Sequence, residues 1–437
     1  MTKRIYLDYA ASTPVDARVL RAMEPYFSVQ FGNPGSLHAF GQEAIAAVDR
    51  SREIIAQALG ADFREILFTG SATEANNLAL RGVLGALRRH SFGTGGSPAP
   101  AAGDRLRSRS AAPRWQAGDQ ARRNSESFLK NAAETVPPRL IVSAIEHESI
   151  LETARDLERQ GVEVVVIPVD RLGRIDMKKL VRALDERTAL VSVMYANNEI
   201  GTIQPIAELS AAIRRFRERQ NKGAWPLFHT DAVQAFQLLS CKPEELGVDL
   251  MTLSAHKLYG PKGIGVLYVR KKTPLSAVVT GGGQEFGLRS GTENIPAIVG
   301  FAEAVRLADR SRQKERERLY ALMRDAWSGI RRQVRGATVN GVQIAAREER
   351  LPNIMSIHVP GMNAEELLTR LDLAHIAASS GSACSARAHE PSHVLRAIGC
   401  SVRRANESIR LSFGRQTTKR DIDTVVSVLK QLFRTQR

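Results

Sequence analysis

The sequence predicts an α/β protein built on a mostly parallel sheet, with a smaller α+β part at its C-terminal end. Three observations carry this. Between about residues 139 and 270, short Val/Ile/Leu-rich runs alternate with helix-like stretches. Those runs show little polar alternation, as strands covered on both faces should. From about residue 271 the texture changes to one long basic helical stretch, short strands and a terminal helix.

Taken in order, EILFTG (65–70) reads as a strand and SATEANNLALRGVLGAL (71–87) as the helix that follows it. RLIVSAI (139–145), VEVVVIPV (162–169), ALVSVMY (189–195), PLFHTD (226–231), LMTLSA (250–255) and GIGVLYVR (263–270) read as further strands. SILETARDLERQ (149–160) and IAELSAAIRRFRERQ (206–220) are helical stretches between them. The C-terminal part has a helical stretch over 302–334, strands NIMSIHV (353–359) and SIRLSF (408–413), and a helix over 421–433. Residues 91–138 are rich in Gly, Ser, Pro, Ala and Arg and nearly devoid of large apolar side chains. Such a stretch cannot bury enough apolar area to offset its ordering entropy, so it reads as a flexible insertion.

The chain has 437 residues, 43% apolar and 25% charged, which excludes whole-chain disorder, collagen-like and disulfide-scaffold classes. No apolar run approaches the roughly 18–20 residues that span a bilayer. The opening MTKRIYLDYAAS has basic residues but no apolar core of a secretory signal, so a cytoplasmic protein is expected. Three cysteines, an odd and small number, suit a reducing compartment. Sixty-two Lys and Arg against 46 acids give a net charge of +16. That charge suits a nucleic acid or another anionic partner, or simply a solvated basic surface. The 5% aromatic content and the lack of a nucleic-acid motif favour the plain surface, and the partner question stays open.

Six segments carry chemistry. In SAHKLYGPKGIG (254–265), Lys257 follows a buried run and precedes a Gly/Pro-rich turn. A lysine there is either a loop lysine or is used covalently, as a Schiff base with a carbonyl such as pyridoxal 5'-phosphate. Asp231, at the end of FHTD, is either a helix cap or the partner of a pyridinium nitrogen. Ser71 and Thr73 open a helix after a strand, which makes either a plain cap with Glu74 or a phosphate cradle. His147, between Glu146 and Glu148, is an incidental loop histidine or a stacking acid/base. Cys384 sits in the Ser/Gly/Ala-rich ASSGSACSARAHEPS (378–392), as an inert thiol or a mobile nucleophile, while Cys241 and Cys400 beside apolar runs read as structural. Arg410 in SIRLSFGR is an edge-strand arginine or a carboxylate clamp, and Arg415 competes for that role.

In their order along the chain these segments closely resemble the cysteine desulfurases of the NifS/IscS type, in the class V aminotransferase group. The motifs are YLDYAASTP (6–14), FGNPGSLHAFG (31–41), TGSATEANN (69–77), EHES (146–149), NNEIGTIQP (197–205), HTDAVQ (229–234), SAHKLYGPKGIG (254–265), GGGQEFGLRSGTEN (281–294) and SSGSACSA (379–386). The resemblance covers nearly the whole chain except roughly 91–138. It implies the fold type I architecture of pyridoxal-phosphate transferases. The expected division is a segment 1–14 packing with the small domain, a cofactor-binding domain over 15–270 and a small α+β domain over 271–437 carrying the cysteine loop.

Position by position, the resemblance makes Lys257 the lysine bonded to the cofactor and Asp231 the partner of its pyridine nitrogen. Gln234 would bond the ring hydroxyl, and His147 would stack on the ring and move protons. Ala72, Thr73, Ser254 and His256 would hold the phosphate, completed by Thr292 from a neighbouring subunit, which implies a homodimer. Asn198 and Arg410 would orient the substrate carboxylate, with Asn198 also close to the cofactor. Cys384 would receive sulfur from L-cysteine, leaving L-alanine and a persulfide, and could act as a transient cluster ligand; no intrinsic metal is expected. The sulfur would pass to an acceptor protein serving iron–sulfur clusters, tRNA thiolation or DNA sulfur modification. The C-terminal extension that docks an iron–sulfur scaffold in IscS-like members has no counterpart after KQLFRTQR, which leaves the acceptor open. Other readings are a different class V activity, such as selenocysteine lysis or aminotransfer, and a basic adaptor that has lost catalysis. Cys384 argues against simple aminotransfer, and the intact Lys257, Asp231, His147 and Cys384 set argues against loss.

Overall fold

The computed structural model describes residues 4–91, 136–220, 225–381 and 390–434. A short strand β1 (Ile5–Tyr6) precedes the central sheet. That sheet has seven strands: β2 (Ile66–Thr69), β3 (Arg139–Ser143), β4 (Glu163–Ile167), β5 (Thr188–Ser192), β6 (Leu227–Asp231), β7 (Leu250–Ser254) and β8 (Gly265–Val269). Their lateral order is β2-β8-β7-β6-β5-β3-β4. β3 to β7 run parallel, and β8 runs antiparallel to both its neighbours. The reversed strand has a simple cause. Only residues 255–264 join β7 to β8, too few for the helical crossover that a parallel return needs.

Successive side chains on each strand enter two different cores. In β3, Ile141 joins one core while Leu140 and Val142 join the other. In β8, Val266 and Tyr268 face one core and Leu267 and Val269 the other. Both faces are therefore apolar, which is why these runs lack polar alternation. The helices Ala72–Ser91 and Glu148–Arg159 cover one face through Leu78, Val83, Ile150 and Leu157. The helices Ala39–Leu59, Ile206–Gln220 and Ile295–Gln333 cover the other through Ile55, Leu209 and Phe301. His229 is wholly buried in β6 and bonds across two strands, Nδ1 to Ser192 Oγ at 2.8 Å and Nε2 to Thr252 Oγ1 at 3.0 Å. Burial pushes its pKa down to about 3, so it serves the sheet as a neutral ring.

Local chemistry sets the helix ends. Ala39–Leu59 stops at Gly60, whose φ of 65° suits a residue without Cβ. The terminal helix Lys419–Arg434 is started by Thr418 and Asp421, each side chain accepting the other's backbone N–H at 3.2 and 2.9 Å.

In the C-terminal part, β9 (Thr338–Val339), β10 (Ile354–His358) and β12 (Ser408–Ser412) form an antiparallel sheet in the order β12-β10-β9. Between them in the chain, β11 (Ile376–Ala377) pairs in parallel with β1. The long helix Ile295–Gln333 packs on both Ala39–Leu59 and Lys419–Arg434. It so joins the central sheet's helical layer to the C-terminal part. Among the described residues, no helix is long and apolar enough to cross a membrane. The expected insertion, 91–138, lies almost wholly outside the described residues.

Candidate active site

A cavity of about 440 Å³ opens at the C-terminal ends of β6 and β7, beside the start of the helix Ala72–Ser91. This is where an open α/β sheet offers loops and free helix ends to a ligand. Ala72, Thr73, His147, Asn198, Asp231, Gln234, Ser254, His256, Lys257 and Arg410 all line it.

Lys257 closes the short helical turn Ala255–Lys257 that follows β7. Its Nζ donates to the carbonyls of Ala10 and Ala11 at 2.8 and 2.6 Å. The amine is thus held by the YLDYAAS segment at the cavity wall. Gln234 Nε2 donates to the same Ala10 carbonyl at 3.0 Å.

Asp231 ends β6 and is buried. Its Oδ1 accepts from the Val233 N–H at 3.0 Å and its Oδ2 from Asn76 Nδ2 at 2.9 Å. Asn76 Nδ2 also donates to Ser149 Oγ at 2.8 Å, and Ser149 Oγ lies 2.9 Å from His147 Nδ1. A continuous hydrogen-bonded chain therefore runs from the carboxylate to the imidazole. His147 is also the N-cap of Glu148–Arg159, its Nδ1 accepting the Ser149 N–H at 3.1 Å.

At the other corner, Ser71 Oγ accepts the Glu74 N–H at 3.1 Å, and Glu74 accepts the Gly70 N–H at 2.8 Å. The capping reading is therefore realised, and it does not exclude the cradle. The N–H groups of Ala72 and Thr73 lie in the helix's first turn, where no preceding turn can accept them. Gly265 keeps this corner tight: a Cβ there would fall 2.6–2.8 Å from the backbone of Ser71 and Ala72. His256 is pushed down to about 4, first by burial and then by Lys257, Lys262 and His147, so it offers a neutral ring rather than a charge.

Arg410, in β12, is 2% exposed. Its guanidinium pairs with Asp8 at 2.7 Å and donates to the carbonyls of Asn198 at 3.0 Å and Gly381 at 3.2 Å. Its Nε is buried without a partner among the described residues. Arg415 does not line this cavity; it lies over the Tyr259 ring, 4.2 Å from its centre. Thr292 is exposed and also lies off the cavity wall. Cys384 falls outside the described residues; Gly381, the last one before it, lines the cavity. Cys241 and Cys400 are buried, and burial pushes the Cys241 thiol up to about 12, far from reactive.

The class V aminotransferase family model matches residues 5–91 and 130–425. The chain belongs to this family. The match breaks between residues 91 and 130, where the sequence reads as an insertion. The chain is similar to a protein of Dictyoglomus turgidum named cysteine desulfurase IscS, 38% identical over 432 residues, covering 99% of this chain and 95% of that one. Among solved structures it is similar to a NifS-like protein, with a TM-score of 0.80 and 32% identity over 99% of this chain and 100% of that one. It is also similar to one titled SspA in complex with cysteine, with a TM-score of 0.72 and 31% identity, covering 94% and 99% of the two chains. The architecture is that of fold type I, and the cofactor of this class V aminotransferase is pyridoxal 5'-phosphate.

The donor set suits that cofactor. An amine for its aldehyde, a carboxylate for its ring nitrogen, and helix N–H groups with hydroxyls for its phosphate all face one cavity. Asn76 Oδ1, buried behind Asp231, has no partner among the described residues.

Several residues of the site escaped the sequence reading: Asn76, Ser149, Asp8, Glu199 and His393. Asn76 had one usable signal, lying one helical turn beyond Thr73 and so on the same face. Glu199 and His393 line the cavity, and Glu199 is fully buried, accepting from Ser392 Oγ at 2.5 Å. Burial, only partly opposed by that bond and by nearby His393 and Arg410, pushes the Glu199 carboxyl upward. Glu146, behind the cavity, accepts from Ser143 Oγ at 2.5 Å and from the Met194 N–H at 2.8 Å. Burial still pushes it up to about 8.

Proposed function

We propose that this class V aminotransferase is a cysteine desulfurase that converts L-cysteine to L-alanine and leaves the sulfur as a persulfide on Cys384. One observation carries the reading. Lys257, Asp231, His147 and Arg410 face one cavity whose wall includes Gly381, three residues before Cys384. The 36–40% identity to proteins named cysteine desulfurase supports it, as does the similar structure titled as a complex with cysteine.

When bound, pyridoxal 5'-phosphate supplies an electron sink that acidifies the substrate Cα–H and lets the sulfur leave. The chain's own residues do the rest. Arg410 binds the substrate carboxylate: its guanidinium is buried and pre-oriented by Asp8, so little ordering remains when the anion arrives. Asn198 flanks that end of the cavity. Asp231, fixed by Asn76 and Val233, presents a carboxylate that holds a proton on the ring nitrogen. Gln234 lies beside it at the same wall for the ring hydroxyl, and Ser254, His256, Ala72 and Thr73 form the phosphate corner. Lys257 Nζ moves the proton at the substrate Cα. His147 takes the proton of the substrate thiol, and the Cys384 thiolate, the nucleophilic form, attacks that sulfur; the S–S bond forms as the Cβ–S bond breaks, and the electron pair left on the carbon takes up a proton to give alanine.

A homodimer belongs to the same proposal. Phe27, Val29, Phe31, Leu37 and Phe40 expose an apolar stretch, and Leu37 is 93% exposed. Thr292, off the wall of its own cavity, is free to complete the phosphate corner of a second copy. A reducing, cytoplasmic setting follows from the same chemistry, since Cys384 has to be kept as a thiol between turnovers. The acceptor is a protein thiol of a cluster, tRNA or DNA sulfur pathway.

The test is alanine and protein-bound persulfide formed from L-cysteine by the purified protein. Wild type makes both, Lys257→Ala makes neither, and Cys384→Ala keeps the cofactor but forms no persulfide. Cofactor binding without persulfide in wild type would move the chemistry to another class V reaction, such as aminotransfer or selenocysteine lysis.

A further inference from the structure

A second cavity, also of about 440 Å³, lies away from the first, between the segment around Arg18 and the long helix Ile295–Gln333. Four of the side chains lining it are arginines, Arg18, Arg306, Arg310 and Arg415, and one is a carboxylate, Glu315. The lone carboxylate is already taken, since Arg318 Nε donates to Glu315 at 3.0 Å. Arg18 is held by Asp16 at 2.7 Å, and Arg306 Nε donates to Glu303 at 2.7 Å. The other two lack such a match. Arg310 has no hydrogen bond or ion pair among the described residues, although it lies one helical turn from Arg306 on the same face. Arg415 reaches Asp16 with Nη1 at 3.3 Å, while its Nη2 is buried without a partner among the described residues. Burial holds the Arg415 guanidinium below its usual range, and Arg18 is a like charge acting on it.

We propose that this cavity is a binding site for a small phosphate-type oxyanion. Two guanidinium groups with unused N–H donors in a pocket of this size suit a tetrahedral dianion, whose oxygens accept charge-assisted bonds from several directions. The source is free phosphate or the phosphate group of a small phosphorylated molecule; both present the same oxygens. Through Arg415 and Tyr259 the site borders the segment that carries Lys257. Arg415 stacks on Tyr259 with its guanidinium and donates its backbone N–H to the Tyr259 hydroxyl at 2.6 Å, and Tyr259 lies two positions after Lys257 with a φ of 65°.

The experiment uses the cofactor-loaded protein, so that the catalytic phosphate corner is occupied. Inorganic phosphate is titrated by calorimetry at constant ionic strength, with chloride as the balancing anion, and glycerol phosphate is titrated in a second arm. The expected result is saturable binding of one oxyanion per chain, weakened about tenfold by Arg310→Gln and by Arg415→Gln. Arg310 is exposed, so Arg310→Gln folds and keeps its cofactor content and cysteine turnover. Tighter binding of glycerol phosphate than of phosphate would identify a phosphorylated molecule as the source, and the reverse order free phosphate. No saturable heat on the loaded protein, or the same affinity in wild type and both variants, would overturn the proposal.

Discussion

Ser149 Oγ lies 2.9 Å from Nδ1 of His147, and Ser149's own N–H also donates to that nitrogen at 3.1 Å. The two contacts have different consequences. The backbone N–H can only donate, so it is satisfied when Nδ1 is unprotonated. The hydroxyl can donate or accept, so it tolerates a proton at either ring nitrogen. Ser149→Ala leaves only the backbone contact and cuts the link from His147 to Asn76 and Asp231, so the ring is less firmly aimed. We expect kcat for cysteine to fall about tenfold. Ser149→Thr, which keeps a hydroxyl, should recover part of the loss. An unchanged kcat in Ser149→Ala would show that His147 does not depend on this hydroxyl.

Asn76 extends the same chain to Asp231, and its removal should act on the cofactor rather than on the substrate. A hydrogen bond to a carboxylate in a buried setting contributes about 1.5–3 kcal/mol. Asn76→Ala should therefore weaken cofactor retention by about one to two orders of magnitude, read by absorbance after dialysis. Asn76→Asp places a second carboxylate against Asp231 and should do worse. Equal retention in wild type and Asn76→Ala would show that Val233 alone fixes Asp231.

Glu146 gives a pH signature of opposite sign to an ordinary ion-paired acid. Burial is the main cause of its value near 8, against an ordinary 4.5. Between these two values the folded state keeps a proton that the unfolded chain has released. Stability from this group is full below about 4.5 and falls as pH rises toward about 8. One proton corresponds to a slope of about −1.4 kcal/mol per pH unit within that window. Glu146→Gln keeps the acceptor for Ser143 and Met194 and abolishes the titration. Denaturant unfolding at pH 5.5 and 7.5 should show wild type losing more stability than Glu146→Gln over that interval. Parallel losses in the two proteins would mean that Glu146 is already ionised.

Much of this architecture was legible because buried strands and their flanking helices leave strong marks. Lys257, Asp231 and His147 stand at strand ends, where a polar residue after an apolar run is conspicuous. The direction of β8 was not legible, since a strand covered on both faces reads alike in either sense; only its short connection to β7 betrays it. Asp8 and Ser149 were hidden for another reason. Asp8 matters because the fold carries it onto Arg410, 402 positions away, and Ser149 because Asn76 reaches it across 73 positions. The choice between Arg410 and Arg415 was likewise open in the sequence. Arg410 lies within β12 and faces the cavity, whereas Arg415 lies in the turn beyond the strand's end and stacks on Tyr259.

The segment between the helix Ala72–Ser91 and β3 contributes none of the residues lining the catalytic cavity among those described. The family match also passes over most of it. Replacing residues 92–135 with a short Gly/Ser linker should keep cofactor content and alanine production within about twofold of wild type. A folded variant that loses its cofactor would make the segment part of the site.

Arg410 separates substrate binding from chemistry. Its guanidinium serves Asp8 and two carbonyls at once, and that fork geometry is what a lysine ammonium cannot reproduce. Arg410→Lys keeps the charge but abandons part of this frame, so the carboxylate of cysteine meets a mobile point charge. We expect KM to rise about tenfold or more while kcat changes little, because the lost contact is made equally in ground and transition states. Asp8→Asn tests the orientation separately. It removes the counter-charge and leaves the guanidinium more available to the substrate carboxylate but less firmly aimed. If positioning dominates, KM rises in Asp8→Asn as well; if charge competition dominates, KM falls. Steady-state kinetics on the two variants, with cofactor content matched, distinguish the cases, and an unaltered KM in Arg410→Lys would remove Arg410 from carboxylate recognition.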